Sequence, residues 1–278
     1  MFWGRKPPEN DQAVKSLDMH CGHLGFAGHV PLQGAAKQWR MAADELKFGI
    51  TSIWAAFEGE SYADIPTVHR TVGFMPEGTR AVRVERARHV IEAGAEMGVA
   101  IFACHLGHIP EDITDPAYEA VAGVARQLCD HAAPHKMTFA LETGQETAPA
   151  MMEFLDTVDR ANLAINFDPA NMIMYGTSDP MPALELMASR VISVHCKDGN
   201  WPPDNKPGGL GSETPLGEGA VGMEKFIAKL IQVGYRGPLT IEREVALDQD
   251  MDDRHKEGLS HLDDIRQAVA LLTKLRDR

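Results

Sequence analysis

Four side chains able to hold a divalent cation each follow an apolar run directly: Glu142 after MTFAL, Asp168 after LAINF, His195 after VISV and Glu242 after PLTI. Three carboxylates packed together repel one another, and some would have to keep a proton. A bound divalent cation removes that conflict. Carboxylates suit hard ions such as Mg²⁺ or Mn²⁺, and the single imidazole shifts the preference toward Mn²⁺, Co²⁺ or Zn²⁺. One ion, Mn²⁺ by preference, is therefore expected. A lone carboxylate at one strand end is ordinarily structural or a helix cap. Ligand-type residues after four consecutive runs are not explained that way.

The elements that must position these residues read as a parallel sheet. Apolar runs occur at 16–24, 51–56, 99–104, 137–141, 163–167, 191–194 and 238–241. Between them lie helical patterns near 33–46, 79–97, 116–132, 147–158, 180–188 and 223–233, with a last one at 254–276. Strands that are apolar throughout and separated by helices belong to a sheet covered on both faces. Seven or eight such units predict an α/β chain forming a (β/α)8 barrel, in which strand C-termini gather at one mouth and active sites sit there. Only one strand can be placed before Thr51. The first β/α unit is accordingly expected to be degenerate or missing, with 1–30 an irregular N-terminal segment of a single domain spanning 1–278.

Two long loops follow strands, at 57–78 and 198–220, the second rich in Gly and Pro. Loops of that length commonly serve as lids or binding loops. Further candidates lie beside the strand ends. His105 and His108, in CHLGHIPED, reach the mouth, and Lys197 points to the same face as His195. Glu146 could orient a ligand, Asn171 could touch substrate, and Trp201 could stack on a flat face of one. His20 and His23, near the start, are weaker candidates.

The chain has 278 residues, a formal net charge of −13 and a sequence pI near 5.3. Nucleic-acid binding needs a basic face, because phosphates dominate that affinity; none is expected here. The four cysteines form no CxxC pair, the first residues lack the apolar core of a signal peptide, and no apolar run could span a bilayer. The expectation is a cytoplasmic protein without membrane contact. A homo-oligomer is also expected to be open to it, since a missing first unit would expose barrel edge.

The stretches ALETGQET (140–147), NFDPANM (166–172), VHCKDG (194–199) and PLTIERE (238–244) resemble the sugar phosphate isomerase/epimerase superfamily, the xylose-isomerase-like barrels. The resemblance runs over roughly 45–278 and is specific in the second half. It implies that Glu142, Asp168, His195 and Glu242 bind one metal and that Glu142 and Glu242 form the acid/base pair. The implied activity is isomerisation or epimerisation of a small keto sugar or polyol through an enediolate. Relatives that cleave, such as inosose dehydratases and C-glycoside-cleaving enzymes, share the first step, so a lyase is the alternative. A sugar-binding barrel without chemistry is a lesser one. Endonuclease IV shares the barrel but needs three zinc ions, and here Asn171 stands where that pattern has His. An unphosphorylated substrate is the expectation.

Overall fold

The computed structural model describes residues 2–3, 17, 19–29, 31–244 and 261–276. Eight parallel strands pair in sequence order. They are β1 (Phe2–Trp3), β2 (Cys21–Phe26), β3 (Gly49–Ala55), β4 (Ile101–Cys104), β5 (Thr138–Glu142), β6 (Leu163–Phe167), β7 (Val191–Cys196) and, after a hairpin, β10 (Leu239–Ile241). The last strand also packs on the second. The His23 ring spans that seam, with Nε2 3.0 Å from Thr240 Oγ1. The result is a nearly closed barrel whose first strand is two residues long.

Residues 1–30 are thus not irregular throughout. Phe2–Trp3 aligns with Leu24 and Gly25 of β2, so the first unit is reduced rather than absent. The apolar run expected at 16–24 becomes a strand shifted to Cys21–Phe26. Residues 1, 4–16, 18 and 30 lie outside the described residues, as does the 254–260 part of the expected last helix, which is described over His261–Arg276.

Helices α1 (Ala35–Leu46), α2 (Ile65–Thr71), α3 (Glu77–Met97), α4 (Pro116–Ala132), α5 (Ala148–Val158), α6 (Pro169–Tyr175), α7 (Pro180–Met187), α8 (Met223–Gln232) and α9 (His261–Arg276) accompany the strands. Five begin with one local signature: an Asp or Thr side chain caps the first turn and a proline occupies one of its first two positions. The caps are Asp64, Asp115, Thr147, Asp168 and Asp179. The cap satisfies an orphan N–H, and proline gives up none that the helix needs there. The main core lies between strands and helices, with Phe102, Phe139, Phe154 and Phe226 fully buried. Inside the barrel, Trp54 packs against Ala103 and Ala140, small residues that leave room for its indole.

The 198–220 loop folds into an antiparallel hairpin, β8 (Asp198–Asn200) with β9 (Ser212–Thr214). Gly211 and Gly219 serve close approach. A Cβ on Gly211 would come within 2.0 Å of the Asn200 carbonyl oxygen. The buried Asp198 carboxylate accepts from the backbone N–H of Gly199, Gly217 and Val221. The hairpin is bonded to α6 (Gly211 N–H to Met174 O, 2.8 Å) and to the 57–78 loop (Ile65 N–H to Gly208 O, 2.9 Å). The two long loops therefore brace each other. Among the described residues no helix is long and apolar enough to cross a membrane.

Candidate metal centre

Glu142 ends β5, Asp168 follows β6, His195 lies in β7 and Glu242 follows β10. Parallel pairing brings these ends together. All four are buried, and one ligand atom from each lies within 4.8 Å of the others. His195 Nδ1 is 2.8 Å from Glu142 Oε1, 3.2 Å from Glu242 Oε2 and 3.7 Å from Asp168 Oδ2. An ion bonded at about 2.0–2.3 Å holds its donors at most about 4.6 Å apart, so this spacing is close to that of a coordination shell.

The donor chemistry fits a cation. Asp168 Oδ1 is used as the cap of α6, accepting from Ala170 and Asn171 N–H. Its Oδ2 is buried without a hydrogen-bond partner. Unpaired buried carboxylate oxygens are costly, and a cation is the partner that removes the cost. Backbone position is also enforced. Thr143 Oγ1 accepts from Asp168 N–H at 2.9 Å and donates to Asp168 O at 3.0 Å. Gly144 sits at φ 150°, where an added Cβ would lie 2.7 Å from Asn171 Cβ. Only glycine lets the chain after Glu142 press so closely on α6.

Electrostatics split the two glutamates. Burial pushes the Glu142 carboxyl well up, and the Glu242 charge pushes it further against the pull of His195. Burial would raise Glu242 as well, but the neighbouring His195 and Lys197 charges overcome it and hold that carboxyl well below the usual range. His195 and Lys197 are raised despite their burial, both chiefly by Glu242, with Glu142 adding for His195 and Glu244 for Lys197. Three buried carboxylates this close to one another are in the charge conflict that the residue types imply.

Of the remaining candidates, three line the cluster. His105 Nε2 is 3.3 Å from Glu142 Oε2, and burial pulls its imidazole down to about 4. Asn171 Nδ2 donates to Glu142 Oε1 at 3.2 Å. The Lys197 ammonium donates to Glu242, Glu244 and Asn171 at 3.2, 2.7 and 3.3 Å. Glu146 is buried, has an unpartnered Oε1, and is raised to about 8 by burial. His108 is not drawn into the cluster: it stacks on His69 at 3.7 Å between ring centroids, and its Nδ1 lies 3.3 Å from Gln145 O. Trp201 stands 46% exposed at the start of the 198–220 hairpin turn.

Sequence reasoning passed over Trp54, Tyr62 and Glu244 and gave His23 little weight. Trp54 lies against both His195 and His105. Tyr62, from the 57–78 loop, packs near the His105 ring. Glu244 had a readable signal, since it follows Glu242 by two residues and so returns to the same face.

The sequence matches the xylose isomerase-like TIM barrel family over residues 12–265. An uncharacterised protein of Methanocaldococcus jannaschii is 24% identical over 205 residues, 67% of this chain; the chain spans 65% of that relative, just under two thirds. A crystal structure of a xylose isomerase domain protein from Planctomyces limnophilus shares 40% identity, with 95% of this chain and 91% of that one covered at a TM-score of 0.86. A D-allulose 3-epimerase from Methylomonas sp. superposes at a TM-score of 0.68, covering 99% of this chain and 93% of its own, but at 16% identity that likeness is one of fold. On the family match, the chain belongs to the xylose isomerase-like TIM barrel family.

Proposed function

We propose that this protein is a metal-dependent isomerase or epimerase of a small keto sugar or polyol, with Glu142, Asp168, His195 and Glu242 as ligands of one divalent cation. The observation that carries the reading is the convergence of those four buried donors on one point. Three carboxylates and one imidazole suit Mn²⁺ best, with Mg²⁺, Co²⁺ and Zn²⁺ as alternatives. When bound, the cation supplies the positive charge that polarises a carbonyl and offsets an enediolate.

The chain's own residues move the proton. One of Glu142 and Glu242 takes it from the carbon beside the carbonyl, and the other returns it to the neighbouring carbon or the opposite face. Lys197 and Asn171 bind and orient hydroxyl oxygens. His105 holds a hydroxyl over Glu142. The protonated Glu146 carboxyl offers a donor in a dry wall. His108 and Trp201 lie further out and contact the distal end of the substrate. The D-allulose 3-epimerase of matching fold lends support to a sugar as substrate.

A second reading is favoured by Lys197, a buried ammonium 3.2 Å from Glu242. A cationic acid there could protonate a departing hydroxide after the same proton abstraction, giving a lyase. One experiment addresses both. The Mn²⁺-loaded protein is incubated in D₂O with a panel of unphosphorylated keto sugars and inososes. The expected result is exchange of a single carbon-bound proton, with an epimer or isomer accumulating; accumulation of a dehydrated product would favour the lyase. No exchange with any member, under Mn²⁺, Mg²⁺, Co²⁺ or Zn²⁺, would overturn the enolisation reading.

A further inference from the structure

His23 enters the barrel from β2, remote in sequence from the other groups of the centre, yet its ring lies directly behind a ligand. Its Nδ1 is 3.0 Å from His195 Nε2. Its Nε2 lies 3.0 Å from Thr240 Oγ1 and 3.2 Å from Ser193 Oγ. His23 is 1% exposed and His195 fully buried, so water has little access to these contacts. On the other side, the Trp54 indole lies over the His195 ring with centroids 5.2 Å apart.

Donor and acceptor counting then admits one arrangement. His195 turns Nδ1 toward Glu142, Asp168 and Glu242. A metal ligand needs that nitrogen free of its proton, so Nε2 must carry the hydrogen. The atom placed to accept it is His23 Nδ1. His23 must then carry its own hydrogen on Nε2 and donate it to the Thr240 or Ser193 hydroxyl. We infer that His23 is the positioning residue of the centre, fixing His195 with Nδ1 toward the cation by accepting its Nε2–H. The same ring ties β2 to β7 and β10 across the seam where β1 has only two residues. Closure of the barrel and orientation of the ligand are therefore one contact. This rests on the metal-centre reading above.

The test compares two substitutions by Mn²⁺ affinity, read from the electron paramagnetic resonance signal of the free ion, alongside thermal melting. His23→Asn places an amide oxygen where Nδ1 stood and keeps the acceptor. His23→Leu fills the space without one. Orientation by hydrogen bonding predicts affinity within about threefold of wild type for Asn and a loss of about 10- to 100-fold for Leu. A packing role predicts the opposite order, with Leu the better replacement, and that order would overturn the proposal. Should His23→Leu not fold, His23→Ala carries the same comparison against Asn. Thr240→Val, which removes one acceptor for His23, is expected to weaken Mn²⁺ by less than Leu does; unchanged affinity in every variant overturns the proposal. A wild-type protein that holds none of the four divalent ions would refute the centre itself and the proposal with it.

Discussion

The two halves of the barrel contribute different things to the same mouth. The half from β5 to β10 supplies charge: three carboxylates, one imidazole and the Lys197 ammonium, each in or directly after a strand. The half from β2 to β4 supplies rings. His23, Trp54 and His105 stand behind or beside the converging donors, and Tyr62 packs on His105. The charged half determines what chemistry is available. The ring half determines how the charged groups are held and how dry they are. Where the first unit shrinks to a two-residue strand, the His23 ring bridges β2 to β7 and β10.

The largest effect should follow substitution in the charged half. On the proposed roles, replacing Glu142 or Glu242 by Gln keeps an oxygen ligand and removes the base. Metal affinity should weaken modestly, while turnover in the solvent-exchange assay should fall by about 10² or more. The two variants should differ, because one surviving base can still exchange the substrate proton without completing turnover. Near-normal turnover in both, with metal retained, would move the acid/base role to His105, Lys197 or Glu146.

A substitution in the ring half should act through stability and geometry. Trp54 is 2% exposed, fills the barrel interior and covers His195. Trp54→Leu should cost about 2–4 kcal/mol in denaturant unfolding and weaken Mn²⁺ binding as well. A variant that loses stability but keeps wild-type metal affinity would separate the two halves more cleanly than the geometry implies.

The difference between the halves also explains what could be read in advance. The barrel class, most helices and the reduced first unit were legible, because buried parallel strands are apolar throughout and helices carry their own period and caps. The four converging donors were legible because each breaks an apolar run at its end. His23 and Trp54 were not, because a ring inside a strand looks the same whether it packs or orients a ligand; what distinguishes them is the strand opposite. The 198–220 segment reads as a lid from its Gly and Pro. What composition does not show is that Asp198 ties it into a hairpin, accepting backbone bonds from Gly199, Gly217 and Val221.

Glu146 tests whether the charged half holds a group kept neutral on purpose. Burial raises its carboxyl to about 8. An unfolded glutamate titrates near 4.5. Between those values the folded state holds a proton that the unfolded state has released, so stability falls as pH rises through that window and the cost is complete above it. Glu146→Gln removes the titration. The variant should gain about 1–2 kcal/mol over wild type at pH 9 and little at pH 5. Parallel pH dependence in the two proteins would contradict a buried, protonated Glu146.

The smallest effect is expected at Trp201, an aromatic residue outside the ring half. It is 46% exposed at the edge of the hairpin, so truncation removes little buried surface. Trp201→Ala should change unfolding free energy by less than about 0.5 kcal/mol and leave metal affinity untouched. If the indole meets the distal face of a sugar, KM should rise several-fold while kcat stays constant, because such a contact is made equally in ground and transition states. A fall in kcat at constant KM would instead mean that the hairpin orients the reacting end, and that the ring half extends across both braced loops. No change in either would confine substrate recognition to the groups already clustered around Glu142 and Lys197.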